Sequence, residues 1–283
     1  MPRRSESKLS CSLIGSIVRT LVLSLWLASV PAMAQTEVPE KVVNHQAQFW
    51  TSVNSTARLS DRWGLVADFH LRRNNFATDP SFYFARAGAA YWTGPRAYAV
   101  VGYAHMWLAV PGVENGEWAF AHENRIYQQF QWSTSVGQNS LLQRFRLEQR
   151  WVEQYAMGLP TGSVRFTHRI RYLMSWSVPV FKHPKAPKLM IADEILLQMG
   201  PDVVYNPFDQ NRLSLGIQQK LGKGWSFDLA YMYVYQQKFS GYQYDANHTL
   251  RWFFYYAPDF RKKRPTPSES APLPIDDYPS GEE

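Results

Sequence analysis

The chain has 283 residues, of which 45% are hydrophobic and 19% are charged, and its formal net charge is +7. Its one cysteine, Cys11, excludes a disulfide-stapled scaffold and a site built from several thiolates. The length fits one domain after an export signal, and no later stretch is apolar for as long as a membrane-spanning helix requires.

The N-terminus predicts a secretory signal peptide over residues 1–34. Three basic residues among the first eight precede an apolar stretch from Leu21 to Val30, which is followed by Ala-Met-Ala ending at Ala34. The apolar stretch is about ten residues long, half of the roughly twenty needed to span a membrane as a helix. Cleavage after Ala34 would remove Cys11 and lower the net charge by three, to +4. Residues 35–44 then form a short lead segment.

Alternating side chains between His45 and Tyr256 predict a series of β-strands. Leu141–Val152, for example, reads LLQRFRLEQRWV. Its alternate residues form two sets, one mostly ionic and the other mostly apolar. A period of two is typical of strands. Eleven such segments are separated by clusters of Gly, Pro, Asn and Asp. Most are longer than the roughly nine to eleven residues that cross a bilayer at barrel tilt.

The fold class that these segments predict is an all-β, antiparallel transmembrane β-barrel over residues 45–256. Connections of three or four residues, such as Ser60–Arg62, alternate with longer ones, such as Ala156–Ser163, as in outer-membrane barrels with short periplasmic turns. Single-chain bacterial barrels have an even number of strands. We therefore expect about twelve strands, or ten, and Val38–Asn44 is a candidate for an added entering strand. Residues 257–283 are rich in proline, without periodicity, and predict a disordered tail.

The apolar sides of the predicted strands are expected to face lipid. The alternative is a soluble barrel in which the aromatic residues form the core. Tryptophans near strand ends are expected at the membrane interface, where indoles are enriched. These are Trp50, Trp63, Trp92, Trp107, Trp118, Trp132, Trp151, Trp176, Trp225 and Trp252.

The opposite sides of the strands predict an interior rich in arginine and carboxylates. Twelve arginines and five carboxylates are expected there, and Glu123, Glu148 and Glu194 are each expected to be clamped by arginines from adjacent strands. In the alternative interpretation, unpaired arginines favour anionic solutes or a lipid phosphate. The candidate site residues are this luminal charge network: Glu123, Arg125, Arg144, Arg146, Glu148, Arg150, Arg169, Arg171, Glu194 and Arg212.

Some outer-membrane barrels are lipid hydrolases, so the histidines in the middle of the predicted strands are considered as candidate catalytic residues. The candidates His105, His122, His168 and His248 have no serine two positions away on their own strand. Since no phosphate loop, nucleotide fingerprint or metal-ligand cluster is present, no catalytic residue, cofactor, metal or nucleic-acid partner is predicted.

Several segments resemble one bacterial family. They are WTSVNSTARLSDRWGL from Trp50, HENRIYQQ from His122, RFRLEQR from Arg144, RIRY from Arg169, DEI from Asp193, YNPFDQNRL from Tyr205 and YMYVYQQ from Tyr231. The chain is similar to domain of unknown function 2490 over nearly its whole length up to Tyr256. That resemblance implies an outer-membrane barrel of a Gram-negative bacterium and carries no activity, substrate or cofactor. The Pro-rich tail departs from many chains of this type, which end near the last strand.

The sequence therefore predicts a non-enzymatic outer-membrane barrel, either a narrow pore that favours anions or a structural or binding protein of the envelope. Expected partners are outer-membrane lipids, the barrel assembly machinery and a small anionic solute. Two alternatives stay open: a lipid hydrolase or acyl-modifying barrel enzyme, and a soluble periplasmic barrel that binds an apolar ligand.

Overall fold

The computed structural model describes residues 39–114, 116–181, 183 and 186–261. The predicted signal peptide lies outside these residues, and so does the predicted tail beyond residue 261. Among the described residues, no helix is long and apolar enough to cross a membrane.

Eleven strands contain all the regular structure of the described chain. They alternate in direction along the chain, as the period-two patterning predicts. Their bounds are β1 Val42–Arg58, β2 Trp63–Asn74, β3 Asp79–Gly94, β4 Ala97–Pro111, β5 Trp118–Val136, β6 Asn139–Ala156, β7 Leu159–Pro179, β8 Lys188–Met199, β9 Phe208–Gly222, β10 Trp225–Gln237 and β11 Gln243–Tyr256.

The strands close into one barrel in which each pairs with its neighbours in sequence, and β1 pairs with β11. The closing pair is parallel and registers fourteen residues, from Val42 opposite Gln243 to Ser55 opposite Tyr256. A closed all-β barrel is confirmed, but it has eleven strands rather than the expected twelve or ten. The reason is that Val42–Asn44 begin β1 itself and form no separate entering strand. With an odd number of alternating strands, the first and last run in the same direction.

The parallel closure places the start of β1 and the end of β11 on opposite rims. We call the rim at the end of β11 the turn rim. It carries the connections 59–62, 95–96, 137–138, 180–187 and 223–224. The other, the loop rim, carries the connections 75–78, 112–117, 157–158, 200–207 and 238–242.

One connection on the loop rim is shorter than the sequence suggested. The expected longer loop Ala156–Ser163 is a two-residue turn, Met157 and Gly158, whose φ angles are +51° and +79°. Positive φ at both central residues is the geometry of a tight hairpin turn that matches strand twist. β7 therefore starts at Leu159, and the β6–β7 hairpin is extended accordingly.

Inward and outward side chains alternate along the strands. On β2, Leu65 and Phe69 are exposed on the outer wall, whereas Val66, His70 and Arg72 are buried inside. Buried arginines, carboxylates and glutamines fill much of the interior together with smaller apolar clusters. One such cluster joins Trp50, Met232, Val234, Phe253 and Tyr255. The core of this molecule is therefore the inside of its barrel, and that core is largely ionic.

The parallel closure predicts a specific disulfide across the β1–β11 seam. Val53 is registered with Phe254, and neighbouring strands lie about 4.8 Å apart, within the Cα separation that a disulfide spans. Val53→Cys with Phe254→Cys should crosslink under copper phenanthroline, as read by a mobility shift on gels without reductant.

The matched control pairs Val53→Cys with Leu250→Cys. This position lies four residues away along β11, about 13 Å from the registered partner. It should not crosslink. A twelfth strand inserted between β1 and β11 would abolish the first crosslink, and that result would contradict the closure.

Candidate functional site in the barrel interior

The barrel brings all ten residues of the predicted charge network together on its inner wall. They lie on five consecutive strands, β5 to β9, and each is at most 7% exposed. Alternation places the charged residues of each strand on one face, and antiparallel pairing sets the rows side by side. Arg125 is registered with Arg150, and Glu148 is registered with Arg169.

Glu123 on β5 receives two guanidinium groups. Arg125, two residues along the same strand, and Arg150 on β6 each place Nε 2.6 Å from Glu123 Oε1. The Glu123 side chain is 1% exposed, so both interactions form away from water. Charged hydrogen bonds of this kind are the short, strong ones, and they offset part of the cost of burying the three charges.

Glu148 on β6 lies at the middle of the network. Arg169 on β7 donates from Nε to Glu148 Oε2 at 2.6 Å, and Arg171 donates from Nη1 to Oε1 at 3.2 Å. Arg125 and Arg146 approach the same carboxylate at 3.7 Å. One buried carboxylate thus faces four arginines from three strands.

Glu194 on β8 contacts arginines from three other strands, β6, β7 and β9. Arg171 on β7 contacts both of its oxygens, at 2.7 and 2.9 Å, and Arg212 on β9 contacts Oε2 at 3.1 Å. Arg144 reaches Oε1 at 2.6 Å from β6, which is two strands away and not adjacent as the sequence led us to expect. Arg144 therefore extends over the inward face of β7 to reach Glu194.

Sequence reasoning missed several members of the network. Asp209 is buried and accepts a hydrogen bond from Arg169 Nη1 at 3.1 Å. The period of two predicts a strand over Gln210–Leu221, so Asp209 is the last residue of the predicted loop before it. Two glutamines, Gln129 and Gln210, accept hydrogen bonds from Arg146 and Arg212. Their inward position follows the alternation, but nothing in the sequence marks a neutral amide as an arginine partner.

Two smaller ion pairs lie on the remaining strands. Asp68 on β2 pairs with Arg86 on β3. Asp228 on β10 accepts hydrogen bonds from Arg251 Nη2 at 2.5 Å and from the Tyr255 hydroxyl at 2.9 Å. Asp68, Arg86, Asp228 and Arg251 are among the arginines and carboxylates expected inside, so the interior charge continues around the barrel beyond the ten residues of the network.

Two tryptophans expected at the interface lie inside the barrel. Trp50 is 3% exposed, and the Arg72 guanidinium carbon lies 3.4 Å from its ring centroid. Trp92 is buried, with Arg58 4.9 Å from its ring. The inward positions of Trp50 and Trp92 follow from alternation, since their neighbours on each strand point outward. Inside the barrel, each indole can stack on a guanidinium group. Arg165, one of the twelve arginines that alternation places inside, is at the loop-rim end of β7 with its side chain 24% exposed.

The four candidate histidines all lie on the outer wall. His105 and His122 face one another, with Nε2 of the former 3.2 Å from Nδ1 of the latter, and Asn124 Oδ1 lies 2.8 Å from His105 Nδ1. His248 contacts the Tyr231 hydroxyl, and His168 lies edge-on to Phe166. The described residues contain no group of three or more His, Cys, Asp or Glu side chains that could hold a metal ion.

The middle of the barrel is filled by side chains. Arg72, Arg144, Arg146, Arg171 and Tyr127 are each at most 2% exposed, although they project into the lumen. The Tyr127 ring packs against the backbone of Gly102, where an added Cβ atom would lie 2.6 Å from the ring. The lining of an aqueous channel would be exposed to water, whereas this interior is packed like a protein core.

Comparison with known proteins identifies the family. The family described as "Protein of unknown function (DUF2490)" matches residues 47–245, most of the chain. The chain belongs to this family. The predicted membership is thus confirmed, and the match includes all ten residues of the DUF2490 charge network. The match stops at residue 245, so most of β11 lies beyond it.

Among solved structures, the DUF2490 chain is similar to the beta domain of the Bordetella autotransporter BrkA. The two share 11% sequence identity with a TM-score of 0.37, over 67% of this chain and 79% of that one. No curated protein matches the chain.

The network predicts a large loss of stability when Glu148 is removed. Glu148→Ala should lower the free energy of unfolding by about 3–5 kcal/mol, because it leaves buried arginines without their shared counter-charge. Glu148→Gln should lose less, since its amide oxygen still accepts hydrogen bonds. Urea unfolding followed by tryptophan fluorescence measures both.

The control is Glu114→Ala in the exposed connection between β4 and β5, which should change stability by at most about 0.5 kcal/mol. If Glu148→Ala were as mild as this control, the interior at Glu148 would be wet and the carboxylate would not hold the arginines together.

Proposed function

We propose that this DUF2490 chain is a non-enzymatic outer-membrane β-barrel of a Gram-negative bacterium, with a closed interior and a structural or binding role in the envelope. The observation that carries the proposal is the inverted polarity of the barrel. Its outer wall is predominantly apolar, and its buried interior holds most of the arginines and carboxylates of the strands.

The outer wall supports contact with lipid on most strands. Large hydrophobic side chains that are at least 36% exposed recur there at alternate positions of the strands. They include Leu65, Phe69, Val101, Ile126, Phe130, Phe145, Leu147, Ile191, Ile195, Leu213, Leu215, Ile217, Leu229, Tyr231, Leu250 and Trp252. So extensive an apolar surface is rare on soluble proteins and typical of the lipid-facing band of membrane barrels.

Strand length and closure support the same proposal. The shortest strands have 12 residues and β7 has 21, against about nine to eleven needed to cross a bilayer at barrel tilt. Backbone closure also matters, because a closed barrel leaves no unpaired strand edge in hydrocarbon.

Filling of the lumen favours a closed barrel over a pore. An anion-selective pore needs arginines along an aqueous path, whereas the arginines of the network are buried against carboxylates and glutamines. In the proposed membrane orientation, with the short turns periplasmic, β1 starts at the cell surface and β11 ends in the periplasm. Outer-membrane lipids and the barrel assembly machinery are the partners this role implies.

A charge on the outer wall separates the membrane proposal from a soluble barrel. Leu215 lies at the centre of β9, points outward and is 54% exposed. Leu215→Arg should lower the free energy of unfolding from phospholipid vesicles by about 2–4 kcal/mol if this position faces the bilayer midplane. In a soluble barrel, the same surface substitution would change stability by only about 0.5 kcal/mol.

Val113→Arg is the matched control, because Val113 is 66% exposed in a loop-rim connection outside the strands. It should be nearly neutral. Equal, small effects of both substitutions, together with extraction from cells without detergent, would refute the membrane location.

The closed interior and the non-enzymatic role are tested by two assays, and no signal is expected in either of them. Purified protein in a planar bilayer should show no steady conductance, and stable anion-selective steps would favour the pore instead. Incubation with radiolabelled phospholipid or lipopolysaccharide should release no acyl chain. Acyl release that is lost in His105→Asn would instead support the hydrolase alternative.

A further inference from the structure

A cavity of about 440 Å³ opens at the turn rim. We call it the rim cavity. Its walls come from the turn-rim ends of β1, β3, β4, β5, β9 and β10 and from the segment Ala257–Arg261 that follows β11. That segment continues the parallel seam, since the backbone N–H of Arg58 donates to Pro258 O at 2.9 Å and that of Phe260 donates to Arg58 O at 2.8 Å. The cavity therefore has one wall that depends on the odd-stranded closure.

Positive charge predominates in the lining of the rim cavity. Arg58, Arg96, Lys220 and Arg261 line it, against the one carboxylate of Asp259. Arg261 contacts both oxygens of that carboxylate, at 2.8 and 2.5 Å, and neutralises it. Its guanidinium also holds the pKa of Asp259 below the usual value, so the pair stays ionised. The lining therefore carries a net positive charge, and within it Arg96 donates to a neutral group, the Ser135 hydroxyl.

The deeper part of the rim cavity is aromatic and contains an amide with unused hydrogen-bonding capacity. The rings of Trp92 and Tyr98 stack at 5.2 Å, and Arg58 lies over the Trp92 ring. Gln131 is 3% exposed, and its Oε1 has no hydrogen-bond partner in the described part of the chain. A buried amide oxygen without a partner is costly, and that cost is removed when a ligand supplies a hydrogen-bond donor.

We infer that the rim cavity is a binding site for an organic anion, in which one carboxylate or phosphate is attached to an apolar body. Arg58, Arg96 and Lys220 face the anionic group, the Trp92 and Tyr98 rings contact the apolar body, and Gln131 Oε1 accepts a hydrogen bond from a hydroxyl or N–H group carried on that body. The cavity volume suits such a ligand, because small-molecule sites usually measure about 300–1,000 Å³. A cationic mouth with an apolar, aromatic interior selects against free inorganic anions and against neutral apolar molecules.

This inference goes beyond the proposed envelope role and does not depend on it. The rim cavity lies at the open end of the barrel and would bind its ligand in either a membrane or a soluble barrel. Failure of the membrane tests therefore leaves the binding test intact, and the reverse also holds.

The test is isothermal titration of the full chain in detergent micelles, with empty micelles as the blank. The organic anions are 6-hydroxy-2-naphthoate and 6-hydroxy-2-naphthyl phosphate, which distinguish a carboxylate from a phosphate source and each carry a hydroxyl donor for Gln131 Oε1. The neutral probe is the alcohol 6-(hydroxymethyl)-2-naphthol, and the inorganic anion is phosphate. We expect one site per chain for at least one of the two organic anions. Its affinity should be at least about tenfold higher than that of the neutral alcohol or of inorganic phosphate.

Arg96→Gln should weaken binding of the organic anion about tenfold, and Gln131→Leu should weaken it several-fold. Arg62→Gln is the matched control, because Arg62 lies on the same rim, is exposed and contacts the Tyr91 hydroxyl outside the cavity. It should bind like the unmodified chain. Circular dichroism checks that each variant keeps its β-structure, and the two cavity variants are independent of one another.

Equal binding of 6-hydroxy-2-naphthoate and 6-(hydroxymethyl)-2-naphthol would show simple partition into an apolar surface and overturn the inference. Equal loss in Arg62→Gln and Arg96→Gln would show a non-specific effect of rim charge and do the same. Binding of inorganic phosphate as tightly as of the organic anions, or no binding of either organic anion above the blank, would also refute the site.

Discussion

Sharing of a few buried carboxylates among many arginines is the constraint on which the rest of this barrel depends. Within β5–β9, seven arginines are arranged around Glu123, Glu148, Glu194 and Asp209, and neutral amides accept further hydrogen bonds. A buried charge without such partners would cost several kcal/mol, so each strand must place its charged residues next to their partners on the neighbouring strands. The network thereby fixes strand register, since a slip of one residue would move every arginine on that strand to the outer wall.

The same alternation that places the arginines inside also places the apolar residues on the outer wall. Because successive side chains point to opposite faces, each inward arginine is flanked along the chain by outward residues, such as Phe145 and Leu147 around Arg146. Packing the ionic residues inside leaves the apolar residues without a protein core to bury them. A surrounding apolar medium is the simplest solvent for that surface, which is why the proposed membrane location and the closed interior belong to one explanation.

Local patterning predicts what depends on neighbouring residues. The period of two on β6 is enough to predict the strand, its two faces and the inward position of Arg144, Arg146, Glu148 and Arg150. Strand number is not predictable in this way, because closure depends on the pairing of β1 with β11 across about 200 residues. The general rule of even strand numbers pointed to twelve, whereas the register of Ser55 with Tyr256 closes the barrel with eleven.

Details of the interior are also beyond local reasoning. Arg144 reaches Glu194 across β7, Arg169 reaches Asp209 across β8, and six strands contribute to the rim cavity. Each of these depends on the spacing of strands that are not direct neighbours, which alternation along one strand does not specify.

Solvent accessibility along one strand tests the inverted polarity most directly. Nitroxide labels placed singly at Leu229, Ala230 and Tyr231 of β10, in chain reconstituted into lipid vesicles, would be compared for collision with oxygen and with a water-soluble nickel chelate. The account predicts high oxygen and low nickel accessibility at Leu229 and Tyr231, which point outward, and low accessibility to both at buried Ala230. Preferential collision with nickel at Leu229 and Tyr231 would place the apolar wall in water and contradict the account.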